Sequence, residues 1–228
     1  DISGGTFVAG DDITIGAAAA GTMSQSAGDV STGDDFIVNA GGSFTMTGGT
    51  LFVGDRLVTD GDAVVNVDGG DVLADDDFFF FGNSQITLDS GSMIVFDKMR
   101  LDDAGAKVTV NGGVLRSNEF GLEDGGGGIN FEGVLEINGD GVYQVEAPGP
   151  TSPLSQLNIA RAEALIAEGV HIVTSDAGRR LNVQTVIVPE FDGETNVTFV
   201  QINVVPEPTS LALLCFGLLG LCVRRRRA

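Results

Sequence analysis

Apolar residues in the first two thirds of this chain return at a fixed stride. Gly5-Thr-Phe-Val-Ala-Gly-Asp-Asp-Ile aligns with stretches beginning at Gly28, Gly49, Gly70, Gly91 and Gly112, and faintly with one at Gly133. The starts are spaced 23, 21, 21, 21, 21 and 21 residues apart, and the Ala17–Ala20 stretch absorbs the two extra in the first interval. Two residues after each start lie Phe7, Val30, Leu51, Val72, Met93 and Val114. Eight after it lie Ile13, Phe36, Leu57, Phe78, Met99 and Phe120, and eighteen after it Met46, Val67 and Leu88. In the fifth copy Val108 and Val110 straddle that last slot, which marks a slip of one residue.

Within each short run the apolar positions alternate, as in strands with one buried face. A constant period near 21 residues with glycine at the corners describes one triangular coil of a parallel β-helix. Right-handed crossover is the rule for such connections. A β-sandwich of hairpins is the competing fold, but hairpins need no constant period. In Phe78-Phe79-Phe80-Phe81 the alignment turns Phe78 and Phe80 inward and leaves Phe79 and Phe81 partly exposed.

The repeat stops after Tyr143, and Pro148-Gly149-Pro150 with Pro153 marks a linker. Asn158 to Glu168, stopped by Gly169, reads as a helix. Val170–Val173, Asn182–Val188 and Asn196–Val204 read as strands. The expected fold class is therefore all-β: a right-handed parallel β-helix of about six 21-residue coils over 1–146, a short α/β cap over 147–204, and one C-terminal membrane-anchor helix within 205–228. A solenoid needs such a cap because its last coil otherwise exposes core and strand edge.

The end of the chain has a different chemistry. Leu211 to Val223, including Phe216, is a thirteen-residue uncharged apolar run followed by Arg224, Arg225, Arg226 and Arg227. As a helix it would be roughly 20 Å long, short of a bilayer core of about 30 Å. The arginines decide for a marginal span, because their stems snorkel and basic clusters mark the cytoplasmic side. Pro206 and Pro208 then end the span at the outer interface.

Val205-Pro206-Glu207-Pro208, a short apolar helix and a terminal arginine cluster together resemble a PEP-CTERM sorting signal, over about the last 24 residues. The resemblance implies export, a single pass through the inner membrane, cleavage near Pro-Glu-Pro by an exosortase-type processing enzyme, and delivery to the cell surface or extracellular matrix. It also implies an N-terminal leader. The chain starts at Asp1 without a methionine or a basic-then-apolar segment, so the leader has been removed or the sequence is a fragment. The stretch GGTLFVGDRL is similar to the glycine-rich repeats of autotransporter-like surface proteins.

Charge narrows the partners. Lys and Arg total 12 against 32 Asp and Glu, and four of the cations are the terminal arginines, so residues 1–223 carry −24. That excludes a nucleic-acid partner, which needs clustered cations. Exopolysaccharide or a second copy of the chain are the expected contacts of such a surface. Cys215 and Cys222 both lie in the apolar tail, so the exported part has no disulfide, thiolate metal site or cysteine nucleophile.

Six residues after each start stand Asp11, Asp34, Asp55, Asp76, Asp97 and Asn118; one later stand Asp12, Asp35, Arg56, Asp77, Lys98 and Glu119. Stacked carboxylates about 5 Å apart repel, by roughly 1 kcal/mol per pair in water. Calcium at Asp11, Asp34, Asp55, Asp76 and Asp97 would relieve this. The runs lack the spacing of calcium β-roll and EF-hand loops, which favours solvated turns and no cofactor.

A paired-carboxylate glycoside hydrolase or lyase is the alternative function. Against it, the chain has no tryptophan to stack on sugars and one tyrosine. No catalytic residue is assigned, and the expectation is a non-enzymatic protein. The single histidine, His171, sits in an apolar run and reads as structural; Asn196-Val-Thr and Gly125–Gly128 carry no site.

Overall fold

The computed structural model describes residues 1–120, 132–147, 159–191 and 194–207. The chain winds into a parallel β-solenoid of about six turns. Its strands are β1 (Ile2–Val8), β2 (Ile13–Ile15), β3 (Gly21–Thr32), β4 (Phe36–Val38), β5 (Gly42–Met46), β6 (Thr50–Val53) and β7 (Leu57–Thr59). They continue with β8 (Val64–Ala74), β9 (Phe78–Phe80), β10 (Gln85–Leu101), β11 (Lys107–Val110), β12 (Val114–Phe120), β13 (Val134–Ile137) and β14 (Val142–Glu146). The cap consists of α1 (Ile159–Glu168), β15 (Ile172–Val173), β16 (Arg179–Phe191) and β17 (Glu194–Pro206).

Three faces stack in register. On the first, Phe7 lies beside Val30, Val30 beside Leu51, Leu51 beside Val72 and Val72 beside Met93. On the second, Ile13, Phe36, Leu57, Phe78 and Met99 form the column. On the third, Met23, Phe44, Val65, Ile86, Val108 and Leu135 do so. Alternation within each short strand sends one set of side chains inward, so Phe36, Phe44, Leu51, Leu57, Val65 and Phe78 are fully buried in one continuous core. Phe78 and Phe80 are buried, while Phe79 and Phe81 are half-buried, as the alignment requires.

The repeat glycines have a physical cause. Gly28, Gly49, Gly70 and Gly91 all have positive φ, between 78° and 88°. A Cβ at any of them would collide with the carbonyl oxygen of the matching glycine one coil earlier. Backbone conformation and stacking distance both demand glycine at this corner.

The register corrects two of the expected starts. Met93 lies beside Leu115, not Val114, and Leu115 is buried while Val114 is half-exposed. The corner glycine of the sixth coil is therefore Gly113 (φ 75°), not Gly112. The extra residue enters the loop from Asp102 to Ala106, because Phe78 still pairs with Met99 at a separation of 21 whereas Gln85 pairs with Lys107 at 22. This is the slip that Val108 and Val110 signalled. In the seventh coil Tyr143 takes the place of Leu115, so Gly141 and not Gly133 lies at the position of Gly113, but a Cβ there would meet the Val110 carbonyl and not a matching glycine. Gly133 instead leads into β13, where a Cβ would meet the Ala106 carbonyl.

The two ends of the stack differ. At the C-terminal end α1 buries Ala162 and Leu165 against the core. Strand β17 pairs antiparallel with β14, from Val142 beside Asn203 to Glu146 beside Phe199, and β16 then pairs antiparallel with β17. This reversal ends the parallel edge of the first face. The β16–β17 hairpin also packs Val197 and Phe199 on the outside of the coils, against Ile94 and Phe96. At the N-terminal end Phe7 occupies a core column yet is 48% exposed, against 1% or less for Val30, Leu51 and Val72.

Candidate functional site

Two features carry chemistry: an acidic corner between the first and second faces, and the strand that runs into the sorting motif.

The acidic corner is built by stacking. The backbone N–H of Asp76 donates to the Asp55 carbonyl at 3.0 Å, and that of Asp97 to the Asp76 carbonyl at 3.0 Å, so equivalent residues of successive coils are one rung apart. The neighbouring carboxylates reach forward by one coil. Asp12 Oδ1 accepts from the Asp35 amide at 3.1 Å, Asp35 Oδ1 from the Arg56 amide at 3.1 Å, and Asp77 Oδ1 from the Lys98 amide at 2.9 Å. Two cations interrupt the column: Arg56 forks onto Asp35 and lies 3.3 Å from Asp55, and Lys98 lies 3.1 Å from Asp97.

Three carboxylate groups result, each with ligand oxygens within 4.8 Å: Asp11, Asp12 and Asp34; Asp34, Asp35 and Asp55; and Asp76, Asp77 and Asp97. The structure thus brings together Asp11 with Asp34, Asp34 with Asp55, and Asp76 with Asp97, and adds Asp12, Asp35 and Asp77 to them. Burial pushes Asp77 up to about 6; the Lys98 amide opposes this, and the Asp76 and Asp97 charges add to it. Desolvation, then the charges of Asp35 and Asp12, raise Asp34. Desolvation, then a hydrogen bond shared with the Asp76 carboxyl, raise Asp55. Three carboxylates are half of the oxygen shell a calcium ion takes. In this corner Asp12, Asp35 and Asp77 each hold a backbone amide of the next coil, and Asp35, Asp55 and Asp97 lie against the two cations.

The sorting residues divide at the limit of the described chain. Val205 pairs with Arg180 and Pro206 with Arg179 in the β16–β17 ladder. The Glu207 amide donates to the Gly178 carbonyl at 3.2 Å. Pro208, Leu211, Phe216, Val223 and Arg224 to Arg227 lie outside the described residues. Among the described residues no helix is long and apolar enough to cross a membrane.

A clasp ties the start of β16 to the last coil. Asn138 Oδ1 accepts from the Ser175 amide at 2.9 Å and from the Thr174 hydroxyl at 3.2 Å. Asp176 accepts from the Gly139 amide at 2.7 Å, and Arg179 reaches back to the Gly139 carbonyl at 3.2 Å and to Asp176 at 3.8 Å. The sequence hinted at this only through the polar run Thr174-Ser175-Asp176; its partners are 36 to 37 residues away.

His171 lies against the last coil: Nδ1 is 3.1 Å from the Gly133 carbonyl, and its own carbonyl accepts from the Leu135 amide at 2.8 Å. Asn196 has a φ of 58° in the hairpin, opposite Pro189, where the pairing skips a rung. Gly125–Gly128 lie outside the described residues.

Residues 204–227 match the PEP-CTERM protein-sorting motif. No curated protein and no solved structure matches the chain.

Proposed function

We propose that this is an exported, non-enzymatic surface or extracellular-matrix protein, in which a stiff acidic β-solenoid is delivered by its C-terminal signal. The observation that carries this reading is the match of residues 204–227 to the PEP-CTERM sorting motif. The motif implies export and sorting to the surface. Leu211–Val223 serves as a temporary anchor in the inner membrane with Arg224–Arg227 on the cytoplasmic side, and an exosortase-type enzyme cuts near Pro206-Glu207-Pro208. The cut breaks one peptide bond. Its acyl half passes to water or an acceptor amine, and the tail leaves with the free amine.

The fold suits this role. Seven stacked layers at about 4.8 Å make a rod roughly 30 Å long. The motif leaves from the capped end, so the N-terminal coil stands farthest from the membrane. Net negative charge keeps such a rod soluble, and its contacts are exopolysaccharide or lateral packing of copies through outward apolar residues such as Phe79.

Deleting Pro206 to Ala228 should turn a membrane-processed product into a freely periplasmic one. Replacing Arg224–Arg227 with Ser should impair retention before processing. If both variants reach the parent's location with the parent's mature mass, the tail is not a sorting signal.

A carbohydrate-acting enzyme is the rival reading, and one observation favours it. Asp77, with its carboxyl raised to about 6, stands beside Asp76 and Asp97, and a raised carboxyl with acidic neighbours is a group that acid–base chemistry uses. Polysaccharide cleavage that disappears in Asp77→Asn would establish it.

A further inference from the structure

We propose that the folded cap holds the start of the sorting motif shut, so that the last rungs of the β16–β17 hairpin must open before the processing enzyme can take it. This rests on the sorting reading above and adds its regulation.

The strand β17 does not stop at the motif. It runs through Val205 and Pro206, which lie beside Arg180 and Arg179, and the Glu207 amide is bonded to the Gly178 carbonyl. Enzymes that read extended peptides do so largely through the backbone N–H and C=O groups of the segment. In an antiparallel ladder alternate residues turn these groups to the partner; here the Glu207 amide does so, onto Gly178, and the same register turns Val205 toward Arg180. Strand and enzyme would compete for the same bonds.

The hairpin is built to open at this end. From Phe199 to Asn203, β17 is held on both sides, by β14 and by β16. Beyond Asn203 the pairing with β14 ends; β16 is the paired strand there, through Leu181, Arg180 and Arg179, and Val204 still packs on the core. Pro206 brings no N–H of its own to the ladder. Strand ends with one partner open at far lower cost than the whole fold. The opening unit is therefore Val205 to Glu207, and Val204 is where it stops.

What sets the ease of opening is the clasp. Asn138 holds Thr174 and Ser175, and Asp176 holds Gly139 and lies beside Arg179. These residues fix the strand against which the motif is paired, so Asp176 and Asn138 act as positioning residues about processing without touching the cut bond.

The test uses the full chain in membranes that contain the processing enzyme, with loss of the tail followed by mass over time. Two variants leave residues 205–228 intact. One inserts Gly-Ser-Gly between Val204 and Val205, which detaches the motif from β16. The other is Asp176→Ala, which loosens the clasp. Both should be processed at least threefold faster than the parent, and Asp176→Ala should speed hydrogen exchange of the Glu207 amide in the uncut protein while leaving that of β6 and β8 unchanged. Equal or slower processing in the two variants overturns the proposal, as does a Glu207 amide that exchanges in the parent like that of a free peptide. If neither the parent nor the two variants are ever cut, or if deleting Pro206 to Ala228 changes nothing, the sorting reading fails and the regulation with it. A parent that is cut at the variants' rate sinks the regulation alone.

Discussion

Arg56 grips Asp35 of the preceding coil with two edges of its guanidinium, Nε to Oδ1 at 3.1 Å and Nη2 to Oδ2 at 2.9 Å. Asp35 in turn accepts the Arg56 backbone amide through the same Oδ1. One carboxylate thus ties backbone and side chain of the next coil and offsets the repulsion between Asp34, Asp35 and Asp55.

Because the Arg56 side chain is 39% exposed, the pair is worth a modest amount. Arg56→Gln should lower stability by about 1 kcal/mol, at the upper end for a surface pair because the contact is bidentate. Urea denaturation of Arg56→Gln, Asp35→Asn and the double variant measures the coupling, which should shrink in 1 M salt as screening takes over, with a Debye length of about 3 Å.

Asp77 gives stability an unusual slope with pH. It is 8% exposed, and burial lifts its carboxyl to about 6, above its ordinary 3.8. Between these values the folded protein holds a proton that the unfolded chain has released. This contribution is complete below the unfolded value, declines as pH rises from about 4 to 6, and is absent above. Asp34 and Asp55 are raised as well and have the same sign. Asp77→Asn keeps an acceptor for the Lys98 amide without the charge. It should gain roughly 2 kcal/mol at pH 7, since each pH unit between the folded and unfolded values corresponds to about 1.4 kcal/mol and solvent at the corner screens part of it. It should also lose the slope between pH 4 and 6. Denaturant titrations at several pH values check both, and a parallel slope in the variant would remove Asp77 as its cause.

Asp12, Asp35 and Asp77 are engaged with backbone amides, and Asp35, Asp55 and Asp97 with Arg56 and Lys98. A chelator should therefore leave the melting temperature unchanged, and added calcium should not raise it. A fall of several degrees in chelator, restored by calcium, would instead assign an ion to Asp76, Asp77 and Asp97, where one ligand is buried.

Phe78 and Phe79 are adjacent in sequence and opposite in consequence. Phe78 is fully buried between Leu57 and Met99, so Phe78→Ala should cost about 3–5 kcal/mol, with Phe80→Ala similar. Phe79 points outward, with Arg100 lying 4.9 Å above its ring and Phe81 at 6.0 Å. Phe79→Ser should cost less than about 1 kcal/mol. If the outer faces pack against one another in a matrix, this variant should also lower self-association in sedimentation velocity, and an unchanged sedimentation profile would remove Phe79 from that contact.

Much of the architecture is legible along the chain because a solenoid repeats a local rule. Every coil must place glycine where the previous coil's carbonyl passes, and must send alternate residues inward. Gly28, Gly49, Gly70 and Gly91, with Val30, Leu51, Val72 and Met93, state that rule in the sequence. The tail is equally legible, since Val205 to Arg227 is a contiguous motif whose parts need no fold to be identified. The acidic column from Asp11 to Asp97 follows from the period alone, but the grip of Arg56 on Asp35 across coils does not, because the period says which residues stack and not which rotamers meet.

Only the tertiary structure decided the rest. One added residue in the loop from Asp102 to Ala106 moves the next corner from Gly112 to Gly113, and both are glycine, so local sequence could not choose between them. The choice is made by the whole ladder of β10 on β12, where burying Leu115 in place of Val114 keeps the core column filled. The reversal of β17 onto β14 is likewise invisible in a strand pattern, which has the same period of two in either direction. It is set by what the last coil lacks: a further strand on its first face, and a cover for Ile94 and Phe96, which Val197 and Phe199 supply from about a hundred residues away.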